Sequence, residues 1–207
     1  MNYAQLAFTD AVKTLQETYG SRRAYERMEK QRVTGGLDAN EITFIADQDH
    51  FFMASFGENG YPYIQHRGGP RGFVKVIDPK TLAFVDFTGN KQYISVGNAQ
   101  TNPNVSLIMV AYPQRARLKV YAKIRVVELA DDPALFEQIA PADYPHLPER
   151  MMVLDIQAFD WNCPQHITPR YTLEDIETVF APEKEYIAQL EAEILELKKR
   201  LQKGPLS

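Results

Sequence analysis

The chain has 207 residues, of which 44% are hydrophobic, and its formal net charge is −4 at pH 7. This length fits one domain with additions, and the apolar fraction excludes a wholly disordered protein. The acidic balance gives no general attraction to nucleic acid, so a bound anion needs a local cluster of basic groups. No segment is apolar over enough residues to predict a membrane-spanning helix.

Residues 1–36 are predicted to form a helical N-terminal extension. The first part carries an apolar stripe at helical spacing. A second helix is predicted over residues 21–30, with Ser21 at its N-cap. Asp38 and Glu41 then have the spacing of a capping box, which predicts a third short helix. The extension also lacks the basic start, apolar run and cleavage site of a secretory signal.

Short segments rich in aromatic and β-branched residues follow from about residue 50, with turn residues between them. Their connections are mostly of hairpin length, so we predict a mainly β fold with flanking helices, an antiparallel barrel or sandwich. One of these helices is expected near residues 132–139. The seven predicted strands cover residues 50–56, 61–67, 73–78, 82–87, 104–112, 117–129 and 151–159.

Two polar segments that follow strands offer hydrogen-bond donors to an anion. QHRGGPRGFVKV (65–76) places basic side chains among glycines, which let backbone amides approach a ligand. TGNKQYISVGNAQTNPN (88–104) offers amide, hydroxyl and ammonium groups where a short helix could begin. Each segment alone is typical of an ordinary polar loop, but one hairpin joins them, so we expect them to converge on one phosphate. The candidate ligands are Arg67, Arg71, Lys75, Asn90, Lys91, Gln92, Tyr93, Ser95 and Asn98, and the choice between Arg67 and Arg71 stays open.

The C-terminal segment, residues 171–207, is predicted to carry a long helix. Pro182 is expected to open the helix, and Gly204 and Pro205 to stop it. A heptad pattern of apolar residues runs along it for about two heptads, fewer than a secure coiled coil needs. The helix could therefore pair with another helix, or pack on its own domain or on a dimer mate. The pattern consists of Ile187, Leu190, Ile194, Leu197 and Leu201.

The middle of the chain resembles a known family. The similarity runs from HFFMASFGENGYPYIQHRGGPRGFVKVID through LAFVDFTGNKQYISVGNAQTNPNVSLIMV. These segments resemble the FMN-binding split barrel of the pyridoxamine 5'-phosphate oxidase-like superfamily, and within it the predicted flavin-nucleotide-binding branch. WNCPQHI (161–167) is similar to the C-terminal signature of that branch. The resemblance covers roughly residues 37–170, which we take as the barrel domain.

The resemblance implies a homodimer of six-stranded antiparallel split barrels, with one FMN in each of two clefts at the dimer interface. The FMN phosphate would lie against Arg67 or Arg71, together with Lys75, Lys91, Gln92 and Ser95. Trp161 is a candidate wall for the flavin ring. Gln65, His66 and Val74 complete the predicted cofactor-binding set.

The resemblance also implies an FMN-dependent oxidoreductase of unknown substrate. The chain has RGGPRGFVK where the vitamin B6 oxidases have R-x-V-x-x-K, and its C-terminal WNCPQHITPRY differs from their substrate-recognition residues. These departures argue against vitamin B6 oxidation. Two alternatives stay open: a non-catalytic protein that stores or senses flavin, and a barrel that binds haem through His50, His66 or His166.

The single cysteine, Cys163, bears on both metal binding and compartment. It excludes an intrachain disulfide and is typical of a reducing compartment, so we predict a cytoplasmic protein. Cys163 and His166 have a C-x2-H spacing, but one such pair is weak evidence for zinc, and no metal site is predicted. No catalytic side chain is assigned, since in this interpretation the flavin carries the chemistry.

Overall fold

Seven strands form one antiparallel sheet, as the seven apolar segments predict. The computed structural model describes residues 2–31 and 35–202. The sheet order is β2-β1-β5-β6-β7-β4-β3. The mainly β fold class with flanking helices is confirmed, although the sheet has seven strands rather than six. The strands are β1 (His50–Phe56), β2 (Pro62–Gly68), β3 (Lys75–Asp78), β4 (Thr81–Phe87), β5 (Asn104–Ala111), β6 (Ala116–Glu128) and β7 (Pro148–Asn162).

Seven helices lie in the described residues, four before the sheet begins. The Asp38–Glu41 capping box is present, with the Asp38 amide donating to Glu41 Oε2 at 3.1 Å and starting the fourth helix. The first predicted helix is divided in two, because Thr9 caps a new helix through the Val12 amide. The helices are α1 (Tyr3–Ala7), α2 (Asp10–Thr18), α3 (Arg22–Gln31), α4 (Ala39–Ala46), α5 (Ile94–Thr101), α6 (Pro133–Ile139) and α7 (Leu173–Gln202).

The sheet curves around an apolar core that joins strands far apart in the sheet order. Phe51 of β1 meets Phe84 of β4 edge to face, with ring centroids 5.3 Å apart, although three strands separate β1 from β4 in the sheet. The apolar surface removed from water at this contact stabilises the curled sheet. This curvature brings the side chains of β2 close to those of β4.

Strand β4 is buried on both faces, which explains its nearly continuous apolar sequence. Leu82 and Phe84 face the core inside the curved sheet. Ala83 and Val85 face a second cluster that includes Ile139 of α6.

Strand β3 is shorter than predicted. The strand begins at Lys75 rather than at Phe73, because a turn precedes it. In that turn the Gly72 amide donates to the Gln48 carbonyl at 2.9 Å, and the Phe73 amide donates to the Pro70 carbonyl at 2.9 Å. Gly72 has φ +73, a left-handed conformation that favours glycine.

The chain divides into two units, and the C-terminal helix belongs to the second. The first unit contains the residues up to Ala111 together with Arg115–His166. The second contains Tyr112–Gln114 and the chain from Ile167 onward. Within the part of the chain that the structure describes, no helix is long and apolar enough to cross a membrane.

The prediction that Pro182 opens the C-terminal helix is wrong. Helix α7 begins at Leu173, and Pro182 lies inside it. Thr172 and Asp175 form a reciprocal cap: the Thr172 amide donates to Asp175 Oδ2 at 2.8 Å, and the Asp175 amide donates to Thr172 Oγ1 at 3.1 Å. This cap satisfies free amides at the earlier start, while Pro182 removes one backbone hydrogen bond within the helix. The predicted stop at residues 204–205 lies outside the described residues.

Candidate functional site

Strand β2 presents a row of polar side chains to one side of the sheet. Successive side chains on a strand point to opposite faces. Tyr63, Gln65 and Arg67 are therefore on one face, where they are partly buried, while Ile64 and His66 are exposed on the other. The first three form one wall of a pocket.

The segment that follows β4 forms the opposite wall. Lys91 and Tyr93 have φ angles of 59° and 52°, a left-handed conformation that is uncommon for residues other than glycine. Tyr93 is also the N-cap of α5, and within the described residues the helix has no side-chain capping hydrogen bond. The first amides of α5 therefore lack the side-chain acceptor that usually satisfies one of them.

The two walls enclose a pocket with about 400 Å³ of empty space, part of it open to solvent. Ser95 is buried, and its Oγ donates to Gln65 Oε1 at 2.8 Å, which ties α5 to β2. The pocket is lined by Tyr63, Gln65, Arg67, Asp86, Phe87, Gly89, Asn90, Lys91, Gln92, Tyr93, Ile94, Ser95, Val96 and Glu149.

A buried carboxylate, that of Asp86, lines this pocket. Asp86 is hydrogen-bonded to Arg67, and Arg150 Nη1 lies 3.4 Å from Asp86 Oδ2. Burial raises the pKa of the Asp86 carboxyl above its ordinary value, and the charges of Arg67 and Arg150 offset only part of this rise. Arg150 also pairs with Glu149, at 2.8 Å. Acidic and basic groups thus alternate along this side of the pocket.

Arg67 retains an unused donor. Within residues 2–31 and 35–202, its Nε is buried and has no hydrogen-bond partner. Buried unpaired donors are rare in native proteins, and each calls for an acceptor such as a water, an ion or a ligand. The Arg67 guanidinium thus keeps one donor that its contact with Asp86 does not use.

The ring of Tyr93 is held over the charged side of the pocket. The guanidinium carbon of Arg150 lies 5.0 Å from the ring centroid, and the Tyr93 hydroxyl donates to Glu149 Oε1 at 3.4 Å. Contacts of a cation with an aromatic face contribute about 0.5–1 kcal/mol at exposed sites. These contacts hold the partly exposed ring of Tyr93 against two charged side chains of β7.

Residues 37–161, more than half of the chain, match the family described as pyridoxamine 5'-phosphate oxidase. The chain belongs to this family. No curated protein matches the chain.

A comparison with solved structures finds several of low sequence identity. HupZ from Group A Streptococcus is 13% identical, with 65% of this chain and 100% of that chain covered and a TM-score of 0.49. A protein of Clostridium acetobutylicum related to general stress protein 26 is 16% identical over 66% of this chain and 94% of that chain, with a TM-score of 0.44. An FMN-binding protein from Syntrophomonas wolfei is 13% identical over 74% of this chain and 97% of that chain, with a TM-score of 0.44.

The structure of this family member brings most of the predicted ligands to one place. His66 lines a neighbouring opening between β2 and β4, which shares Gln65 and Arg67 with the pocket. The predicted residues that line the pocket itself are Gln65, Arg67, Asn90, Lys91, Gln92, Tyr93 and Ser95.

Three predicted residues near β3 lie outside the pocket lining. Arg71 is exposed in the turn after β2, and Val74 is buried in the core. Lys75 lies on β3 opposite Ala83. The turn between β2 and β3 carries these side chains away from the row on β2, so of the two arginines only Arg67 lines the pocket.

Two further predicted residues make structural contacts elsewhere in the same unit. Asn98 Nδ2 donates to Ser55 Oγ at 2.9 Å, which ties α5 to β1. Trp161 donates its indole N–H to Glu41, and its ring meets Phe44 edge to face at 4.7 Å. Trp161 therefore packs against α4 within its own chain.

The sequence interpretation did not include several residues of the pocket. Tyr63 had a usable signal, since it alternates with Gln65 and Arg67 along β2. Asp86 had a weaker signal, as the one charged residue in the apolar run of β4. Glu149 and Arg150 come from a segment more than fifty residues away, and they reach the pocket only because β7 pairs with β4.

Proposed function

We propose that this protein is a flavoprotein that binds FMN in the pocket between β2 and the segment Gly89–Val96. One observation carries the proposal: the pocket that gathers the polar residues lies inside the region that matches the family, where the resemblance implies the FMN phosphate. Both walls come from segments that the sequence marked as anion ligands.

The residues present suit a phosphate. Arg67 and Lys91 both line the pocket, so it is bordered by a guanidinium and an ammonium group. The amides that begin α5 lack a side-chain acceptor, and amides at a helix N-terminus favour an anion. These donors select a phosphorylated flavin over an uncharged one.

Bound FMN would supply hydride or electron transfer, and we propose an oxidoreductase on that basis. The chain's own residues would hold the phosphate, orient the flavin and limit the access of water. The pocket is open on one side, so a second copy of the chain is proposed to complete its wall, as the family resemblance implies.

The first experiment is absorbance spectroscopy of the purified protein before and after addition of FMN. We expect bands near 375 and 450 nm, approximate positions that belong to the flavin itself. A Soret band, or a colourless protein that takes up no FMN, would contradict the proposal. Anaerobic bleaching by NADPH or NADH would then support an oxidoreductase, and a bound flavin that neither reduces would favour storage or sensing.

A matched pair of lysine variants tests the position of the phosphate. Lys91→Gln should weaken FMN binding by about 1–3 kcal/mol, because it removes a charged hydrogen-bond donor. Lys75→Gln is the control, since Lys75 does not line the pocket. Fluorescence titration measures the affinity of each variant for FMN and for riboflavin. Riboflavin has no phosphate, so its affinity should change little in either variant. Equal losses in the two variants would contradict the phosphate position.

A further inference from the structure

Helix α7 carries an apolar seam twice as long as the sequence pattern indicated. The helix begins at Leu173, so Leu173, Ile176 and Phe180 continue the three- and four-residue spacing that runs from Ile187 to Leu201. The seam therefore extends over about four heptads, enough for a coiled coil. Glu183 is its one polar position.

The seam is uncovered in the single chain. Its apolar side chains range from 39% exposed at Leu190 to 82% exposed at Leu201. A contiguous exposed row of this kind marks an interaction surface. Regular heptad spacing fits one kind of partner, a helix with the same spacing, because each apolar side chain then enters a space between four residues of the facing helix. We propose that α7 pairs in antiparallel orientation with α7 of a second copy of this chain.

Glu183 decides the orientation. In a parallel pair, identical seam residues face each other, and the carboxylate of Glu183 would meet the same carboxylate of the partner. Two like charges at a buried position are unfavourable. In an antiparallel pair with Ile187 opposite the partner's Leu190, Glu183 lies beside the partner's Ile194 instead. Pro182 is on the outward side of the helix and does not enter the seam.

The charges beside the seam decide the register. Glu177, Lys184, Glu191 and Lys198 occur once per heptad along one side of the seam, all are exposed, and their sign alternates. We take as the proposed register the one that places Ile187 opposite the partner's Leu190. In this register Glu177 faces the partner's Lys198, and Lys184 faces the partner's Glu191. A shift by one heptad in either direction places lysine beside lysine and glutamate beside glutamate. Registers shifted by two heptads also pair glutamate with lysine, but they overlap only about half of the seam, so the proposed register has the most attractive pairs.

Disulfide cross-linking of the full chain tests orientation and register together. Cys163 is exposed and is the only cysteine, so every variant also carries Cys163→Ser. Ile176 and the partner's Leu201 face each other in the proposed register. The double variant Ile176→Cys/Leu201→Cys should form covalent dimers on mild oxidation, which a reductant reverses. The two sites lie roughly 37 Å apart along one helix, so they cannot react within one chain.

The controls separate the proposed pair from other arrangements. The matched variant Thr178→Cys/Lys199→Cys places both cysteines at outward positions of the same heptads and should stay monomeric on denaturing gels. The single variants Ile176→Cys and Leu201→Cys should also stay monomeric. Cross-linking of Leu201→Cys alone would indicate a parallel pair and overturn the proposal. An absence of cross-links in the double variant would also overturn it, as expected if α7 packs on its own chain.

A charge reversal gives a second measurement that leaves the seam intact. Lys198→Glu places two glutamates together and should weaken self-association by roughly three- to tenfold in sedimentation equilibrium. Glu177→Lys/Lys198→Glu restores the attraction and should recover the original affinity. The register is contradicted if the double reversal is as weak as the single one. All variants share the same barrel, so a difference in self-association between them reports on the charges beside the seam.

Discussion

Replacing Arg67 by methionine tests the buried charge cluster most directly. The Arg67 and Asp86 side chains are 13% and 8% exposed. Removal of one partner from a buried ion pair costs about 3–5 kcal/mol, since it leaves an uncompensated charge. Arg150 Nη1 lies 3.4 Å from Asp86 Oδ2, so a second cation stays available to this carboxylate in the variant. We therefore expect the lower end of that range, a loss of about 3 kcal/mol in the free energy of unfolding at pH 7.

The loss should depend on pH with a defined sign. Burial already raises the pKa of Asp86, and loss of the Arg67 charge raises it further. A raised carboxyl pKa weakens the folded state above that pKa, and the penalty disappears as the pH falls through it. The difference in unfolding free energy between the natural protein and Arg67→Met should therefore shrink as the pH falls from 7 toward 3.8, the ordinary pKa of an aspartyl carboxyl.

Urea denaturation of the protein without added flavin measures these effects. The matched control is Arg125→Met, which breaks the ion pair of Arg125 with Asp155, whose side chains are 58% and 40% exposed. Exposed pairs contribute about 0–1 kcal/mol. The double variant Arg67→Met/Asp86→Leu should recover most of the stability that Arg67→Met loses, because no unpaired carboxylate remains. A loss in Arg67→Met no larger than in Arg125→Met would refute the reasoning.

Two further predictions concern the scaffold. Asp38→Ala should lower the free energy of unfolding by about 1 kcal/mol, because it removes the N-cap of α4, and thermal unfolding against an Asn40→Ala control would reveal it. Leu154→Ala should cost about 2–5 kcal/mol, because Leu154 is fully buried, whereas Leu147→Ala, at a side chain 75% exposed, should cost less than about 0.5 kcal/mol. Equal midpoints in urea for the last two variants would contradict the assigned core.

The sequence predicted the features that depend on near neighbours. The capping box at Asp38 and Glu41 spans three residues, and the apolar alternation of each strand is a local pattern. The short polar segment at residues 90–95 lies between β4 and the main part of α5, as expected from its position in the sequence. These features can be predicted without knowing which strands pair.

The remaining features depend on register between distant segments. Asp86 lies opposite Arg150 only because β4 and β7 pair in one particular alignment, which apolar patterns do not specify. The closeness of Lys75 and Arg67 in sequence predicts that both contact one phosphate. The turn at Gly72 lies between them, however, and places Lys75 on a different strand, opposite Ala83. The start of α7 was missed for a different reason: Pro182 is a strong local signal, yet the Thr172–Asp175 cap outweighs it.

Strand β4 links two surfaces of the protein that share no side chain. Val85 packs toward α6, and the next residue, Asp86, lines the pocket on the opposite face. A change in volume at Val85 or Ile139 would push on the strand itself, because packed interiors do not absorb such a change in place. Selection for altered ligand preference should therefore yield substitutions beneath α6 as well as in the pocket, and a library restricted to pocket-lining positions would omit them.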